Sequence, residues 1–287
     1  MPQPINPHPL SDNPIVDPLV EAPDTDESGL VSLDATPEGV AVVTLNRPAR
    51  KNAFDAELIS AMHQVFETLQ GAEGVRVVFL RGAGGMFSAG ADLEWMRAAA
   101  DRTESDNRDD ALQMARMLKS LWDIPALTVA LVEGGAFGGG AGVVAACDLA
   151  VATADAKFSF SEVKLGLIAA TISPYVVEAI GPRAARGLFA TGRVFDATYA
   201  EKIGLLTEVA ADADALHAAF DRISSEMMAC APGAVAASKQ LVADVAWQAP
   251  EDVLEDTARR IAAARVGEEG QEGVRAFLER RKPSWSL

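Results

Sequence analysis

Two cysteines in 287 residues, Cys147 and Cys230, are too few and too far apart for a disulfide framework or a cysteine-based metal site. Both are expected to be free, buried thiols, as suits a reducing cytoplasm. The three histidines, His8, His63 and His217, are scattered, so no metal site is expected. Positive charge is also scarce. Lys and Arg number 25 against 41 Asp and Glu, a formal charge of −16 with a pI near 4.6. That balance argues against nucleic acid and anionic membrane as partners, because both are polyanions. A small anionic ligand would need only a local group of cations. Long apolar runs are missing as well. The longest uncharged stretch, Gly134 to Cys147, is too short and too rich in glycine to span a bilayer. No positive start followed by an apolar core opens the chain, so a soluble, cytoplasmic protein is expected. There is no G-x-S-x-G, no H-E-x-x-H and no G-x-x-x-x-G-K-[ST].

What is present is ample apolar material, 49% of residues, arranged in three regions. Residues 1–28 hold seven of the fifteen prolines, six acidic residues and no Lys or Arg. This is the composition of a disordered tail. Between about 29 and 212, strand and helix patterns alternate. Leu30 to Leu33, Val40 to Leu45, Val75 to Leu80, Leu127 to Val132 and Leu149 to Ala152 read as strands. Asp55 is placed to cap a helix from Ala56 to about Gln70, with Leu58, Ile59, Met62, Val65, Phe66 and Leu69 at helical spacing. A second helix is expected from about Arg108 to Leu121. The alternation implies an α/β core built from strand–strand–helix units. From about Ala213 to the end, only Ala-rich amphipathic helical segments remain. A helical region of this kind is expected to pack on the core or on another subunit, and Trp285 near the end suggests docking rather than a free tail.

The stretch Phe137-Gly-Gly-Gly-Ala-Gly142 must serve something, since a glycine run is entropically unfavourable in an ordered chain. Gly140, Gly142 and Ala145 fit G-x-G-x-x-A, but the context fails for a dinucleotide site. Several residues separate Val132 from Gly140, and Asp148 comes too soon for a ribose-binding acid. A second small-residue stretch, Phe87-Ser-Ala-Gly-Ala-Asp-Leu93, also follows a strand and precedes a helix. At such junctions backbone N–H groups are unpaired and the helix dipole favours negative charge. Two converging donors would make an oxyanion hole. Tight strand–helix packing would explain the same residues, and both readings stand at this point.

These stretches, together with Leu45-Asn-Arg-Pro48, Asn52-Ala53, Gly134 to Gly140, Cys147-Asp148 and Phe277 to Pro283, resemble the enoyl-CoA hydratase/isomerase (crotonase) superfamily over about residues 30–287. The resemblance implies a spiral of repeated β-β-α units and a helical C-terminal region, 213–287, that builds homotrimers or dimers of trimers. It implies an acyl-CoA thioester as substrate and no permanently bound cofactor. By motif position, the oxyanion donors are the N–H groups of Ala91 and Gly139. Arg50, Ala89, Asp92 and Leu93 are implied as CoA contacts, with Ala89 lining the adenine pocket through its backbone. Trp95, Met96, Leu167 and Tyr175 are candidates to line the acyl pocket.

The resemblance also implies an acid–base carboxylate at Glu162. Typical hydratases of the family carry a second glutamate, whose position falls here on Gly142, and glycine cannot carry a proton. Glu162 is then the principal acid and base, which suits hydration or Δ3–Δ2 isomerisation by one carboxylate. The Ser161 to Gly166 and Ile172 to Val177 stretches, with glycine at 142, resemble the branch that handles branched or carboxylated enoyl-CoAs such as methylglutaconyl-CoA. Such compounds arise in leucine and acyclic-terpenoid breakdown. Hydratase is therefore expected, with isomerase and a non-catalytic acyl-CoA-binding relative as the alternatives.

Overall fold

The computed structural model describes residues 29–286, so the proposed tail at 1–28 lies outside the described residues. Two parallel-type walls of strand organise the chain. The larger sheet contains β1 (Val31–Ala35), β2 (Val40–Leu45), β3 (Val77–Gly82), β4 (Leu127–Val132), β6 (Leu149–Thr153) and β9 (Glu208–Ala210), side by side in that order. All its pairings are parallel except β1 with β2. The smaller sheet joins β5 (Gly135–Phe137), β7 (Lys157–Ser159) and β8 (Phe195–Asp196), and Ser88 bridges to Ala136 at its edge.

The chain climbs by repeating one step: a strand in the large sheet, a short strand in the small one, then helix. β4, β5 and α4 (Gly139–Ala146) make one such turn; β6, β7 and α5 (Ser173–Thr191) make the next. Between β3 and β4 lie α2 (Leu93–Ala100) and α3 (Glu104–Trp122). This is the expected β-β-α spiral.

The central strands are apolar on both faces because both are covered. Alternate residues of β2 and β3 point opposite ways. Ala41, Val43, Leu45, Val78 and Leu80 join the cluster with α1 (Ala56–Gly71) and α3. Val40, Val42, Val77 and Phe79 pack instead on Leu216, Ala219, Phe220 and Ile223 of α7 (Ala213–Met228). Phe79 and Phe220 lie 4.4 Å apart, centroid to centroid. The first C-terminal helix is thus part of the core's second face.

Local chemistry explains most boundaries. Asp55 accepts from Leu58 N and starts α1 where expected. Helix α3 starts earlier than the apolar pattern indicated, because Thr103 and Asp106 form a capping box. After α6 (Ala197–Lys202) and α7, α8 (Pro232–Val245) and α9 (Pro250–Val266) each open on proline, and α10 (Glu268–Glu279) follows. Trp285 docks as expected: its Nε1 donates to Ala229 O, and Arg76 donates to Trp285 O and Met227 O.

Two expectations are corrected, on the glycine run and on the cysteines, and four short strands were not foreseen. The glycine run is not a loop before a helix, because α4 begins inside it at Gly139. The strands β5, β7, β8 and β9 are only two or three residues long, too short to show a period in the sequence. The cysteines are not both buried. Cys147 is half-buried, and Cys230, just past the end of α7, is exposed.

Candidate active site

The strand β3 delivers the chain to residues 87–92 through a tight turn. Asn52, fully buried, holds that turn: its Nδ2 donates to Ala83 O and Met86 O, and its Oδ1 accepts from Arg47 N. Ser88, also fully buried, donates from Oγ to Asn52 O and accepts from Gly90 N. Asp92 caps α2 by accepting from Glu94 N and Trp95 N, and Arg47 pairs with both Asp92 and Asp55. Burial opposes the charge on Asp92, but those two N–H groups and the nearby Arg47 and Arg50 hold its carboxyl below the ordinary range.

The glycine run lies directly against this stretch. Phe137 N donates to Ser88 O, and Ser88 N donates to Gly135 O. A Cβ on Gly90 would stand 2.9 Å from Phe137 O, and one on Gly140 would stand 2.7 Å from Ser88 Cβ. Only a missing side chain permits that approach. Gly138 has φ +49°, a left-handed conformation that turns the chain into α4. Its own N–H donates to Ser159 O.

Immediately beyond Gly90 and Gly138 come Ala91 and Gly139. Among the hydrogen bonds of the described residues, neither N–H donates to a protein acceptor. Three neighbouring donors are used: Gly90 N by Ser88, Asp92 N by Phe54 O, Gly138 N by Ser159 O. Gly139 is the first residue of α4, where the helix dipole is positive.

Glu162 reaches the same place from the far side. It opens a short 3-10 turn, Glu162–Leu165, after β7. Its Oε1 would lie 3.3 Å from a Cβ on Gly138. Its Oε2 is buried and has no partner among the described residues. Burial pushes the carboxyl above the usual glutamate range, partly offset by a backbone N–H. A buried carboxylate oxygen left without a donor is unfavourable by about 1–3 kcal/mol or more, so such a group is kept for a reason outside folding.

The remaining expected residues divide. Ala89, Arg50 and Leu93 sit on the surface beside this stretch: Ala89 N donates to Lys51 O, and Arg50 pairs with Glu94 beside Leu93. All three are exposed. Asp92 lies among them, buried, with its carboxylate engaged by the cap and Arg47 and its N–H by Phe54 O. Trp95 and Met96 are half-buried on α2, and Leu167 is exposed. Tyr175 lies elsewhere: with Trp122, Cys147, Asp148 and Glu178 it lines a cavity of about 240 Å³ at the opposite end of α4. Three features were not foreseen. Phe54 and Met114 crowd Gly139, Ile172 fills the space beside Gly142, and the buried Nε1 of Trp95 has no partner among the described residues.

Comparison with known proteins supplies the family. The model of the enoyl-CoA hydratase/isomerase family matches residues 35–287. An enoyl-CoA hydratase structure from Shewanella pealeana is 39% identical, covers 91% of this chain and 97% of its own, and superposes with a TM-score of 0.86. Pseudomonas aeruginosa AtuE is 37% identical, with 90% and 100% covered and a TM-score of 0.86. A mitochondrial Δ(3,5)-Δ(2,4)-dienoyl-CoA isomerase of Dictyostelium discoideum is 28% identical over 254 residues, 85% of this chain and 86% of its own.

Proposed function

Since the chain belongs to the enoyl-CoA hydratase/isomerase family, we propose that it adds water across the α,β double bond of an enoyl-CoA thioester, with Glu162 as acid and base. The observation that carries this reading is the Glu162 Oε2, buried and without a partner among the described residues, on a carboxylate that lies against Gly138, one residue from the unused N–H of Gly139. The thioester oxygen accepts from Ala91 N–H and Gly139 N–H. Glu162 takes a proton from water as the water oxygen bonds to the β-carbon. The π electrons move onto the thioester oxygen, where the two N–H groups and the positive end of α4 stabilise the enolate. Glu162 then returns its proton to the α-carbon. The charge forms only along the reaction path, so the donors favour the transition state over the ground state.

Ala89, Arg50 and Leu93, exposed on the surface beside the site, are suited to the CoA moiety. The acyl group is of the branched or carboxylated, methylglutaconyl-like kind, which would place the protein in leucine or terpenoid breakdown. The Trp95 Nε1–H, buried without an acceptor on the helix that follows Ala91, suits an acyl group with a polar atom of its own. Large apolar side chains stand exposed on the C-terminal helices, among them Leu254, Ile261, Phe277 and Leu278, which suits a trimer.

One observation favours isomerase as a second reading. Glu162 is the carboxylate found against the glycine run, and residue 142 has no side chain. One base moving a proton between carbons needs no more. Turnover of crotonyl-CoA, 3-methylglutaconyl-CoA and a Δ3-enoyl-CoA in oxygen-labelled water separates the readings. Glu162-dependent uptake of label is expected; conversion without mass gain would mean isomerisation. Tight acyl-CoA binding with no turnover and no proton exchange would mean a binder.

A further inference from the structure

Gly138 is the N-cap of α4, and Gly142 lies one turn into the helix, its N–H donating to Gly138 O. What each faces differs sharply. A Cβ on Gly138 would approach the Glu162 carboxylate at 3.3 Å, whereas one on Gly142 would overlap Ile172 Cγ2 and lie 2.6 Å from Ile172 Cβ. Ile172 is 2% exposed and belongs to the main apolar cluster. It also occupies the N-cap of α5, where Ser, Thr, Asp or Asn would ordinarily accept a backbone N–H, and it makes no cap bond. The hydroxyl of the next residue, Ser173, donates to Ala170 O instead. A capping interaction is thus forgone in favour of hydrocarbon filling the space that residue 142 leaves.

We infer that Ile172 is a specificity-determining residue: it seals the side-chain position of residue 142 with hydrocarbon, so that enoyl thioesters carrying a methyl branch on the β-carbon are preferred over unbranched ones. The inference rests on the enoyl-thioester reading above. With the thioester oxygen at Gly139 N–H, the β-carbon lies two bonds beyond the carbonyl carbon, about 2.5 Å, and its methyl one bond further. Residue 142 lies about 4.5 Å along the helix from residue 139. A methyl branch spans that interval; an unbranched chain leaves it open. The β-carbon then meets Glu162 on one side and the Ile172 methyl groups on the other.

The test is the ratio of kcat/KM for 3-methylcrotonyl-CoA to that for crotonyl-CoA, in wild type, Ile172→Val and Ile172→Ala. The wild-type ratio should exceed one. It should fall stepwise, by about tenfold or more in Ile172→Ala, the range for removing hydrocarbon from a specificity pocket. Gly142→Ala alone should lower Tm, and adding Ile172→Ala should restore it. A wild-type ratio of one or less overturns the inference, as does an unchanged ratio in folded Ile172→Ala. If Ile172→Ala does not fold, an unchanged ratio in Ile172→Val overturns it equally. Absence of turnover on every enoyl-CoA would instead mean that the enoyl-thioester reading has failed, and the inference with it.

Discussion

At the scale of the residue, Glu162 connects structure to chemistry through its protonation. Its carboxyl is raised by burial, so the folded protein holds the proton more tightly than the unfolded chain does. Below the unfolded pKa both states are protonated and no stability is at stake. As pH rises through the unfolded and then the folded value, the charge must form in a buried place and stability is lost. Glu162→Gln should therefore raise Tm at pH 8 and leave it nearly unchanged at pH 4, as thermal melts will show. The same change should lower kcat by about 10²–10⁴-fold, the usual worth of a general acid–base group. The wild-type acid limb of kcat should lie above the ordinary glutamate range, because the base is lost as pH falls through the raised value. Trp95 offers a second test. Trp95→Phe keeps most of the ring volume and removes an N–H that has no acceptor among the described residues, so Tm should not fall. If the N–H meets an acyl carboxylate, kcat/KM for 3-methylglutaconyl-CoA should drop about tenfold or more, and that for crotonyl-CoA much less.

At the scale of the element, the site is a meeting of two strand-to-helix junctions. The first is held, besides its backbone bonds, by Asn52, some 35 residues earlier in the chain. Removing its amide leaves Ala83 O and Met86 O without their donor in a buried place. Asn52→Ala should destabilise the fold by about 2–4 kcal/mol, read from urea unfolding, with kcat falling as residues 87–92 loosen. The second junction depends on α4 beginning at Gly139. Glu162 then lies against Gly138, at the N-cap, and Ile172 against Gly142, one turn into the helix. The element is apolar all round, which is why seven of its eight residues are buried and why only its N-terminal end is available for chemistry.

For the whole molecule, the C-terminal helices do two different things. Helix α7 completes the core through Phe220 and its neighbours, and Arg76 and Trp285 tie the chain's end back to the close of α7. The later helices leave large apolar side chains in water, with Phe277 82% and Leu278 74% exposed. A chain of net charge −16 would not be expected to keep such patches uncovered unless another surface meets them. Sedimentation should therefore give about three times the 30.1 kDa chain mass. Phe277→Asp with Leu278→Asp should shift it toward the monomer while the far-ultraviolet circular dichroism of the core persists. A wild-type monomer at micromolar concentration would refute the assembly.

The amino-acid sequence by itself determined the elements whose signal is local. Apolar spacing marked α1, the uninterrupted runs marked β2 and β4, and Asp55 marked a helix start, because 3.6-residue and two-residue periods are written in neighbouring residues. Its separated motifs also carried the family, and with it the expectation placed on Glu162. The tertiary structure alone decided the rest. Only the fold shows that Arg47 and two backbone N–H groups engage the Asp92 carboxylate. Tyr175 looked like part of an acyl pocket until α5 turned it toward Trp122. Gly142 read as a missing acid, and only packing showed that Ile172, thirty positions away, fills its place. Such contacts join residues far apart in the chain, and no local period records which distant side chain will occupy a given space.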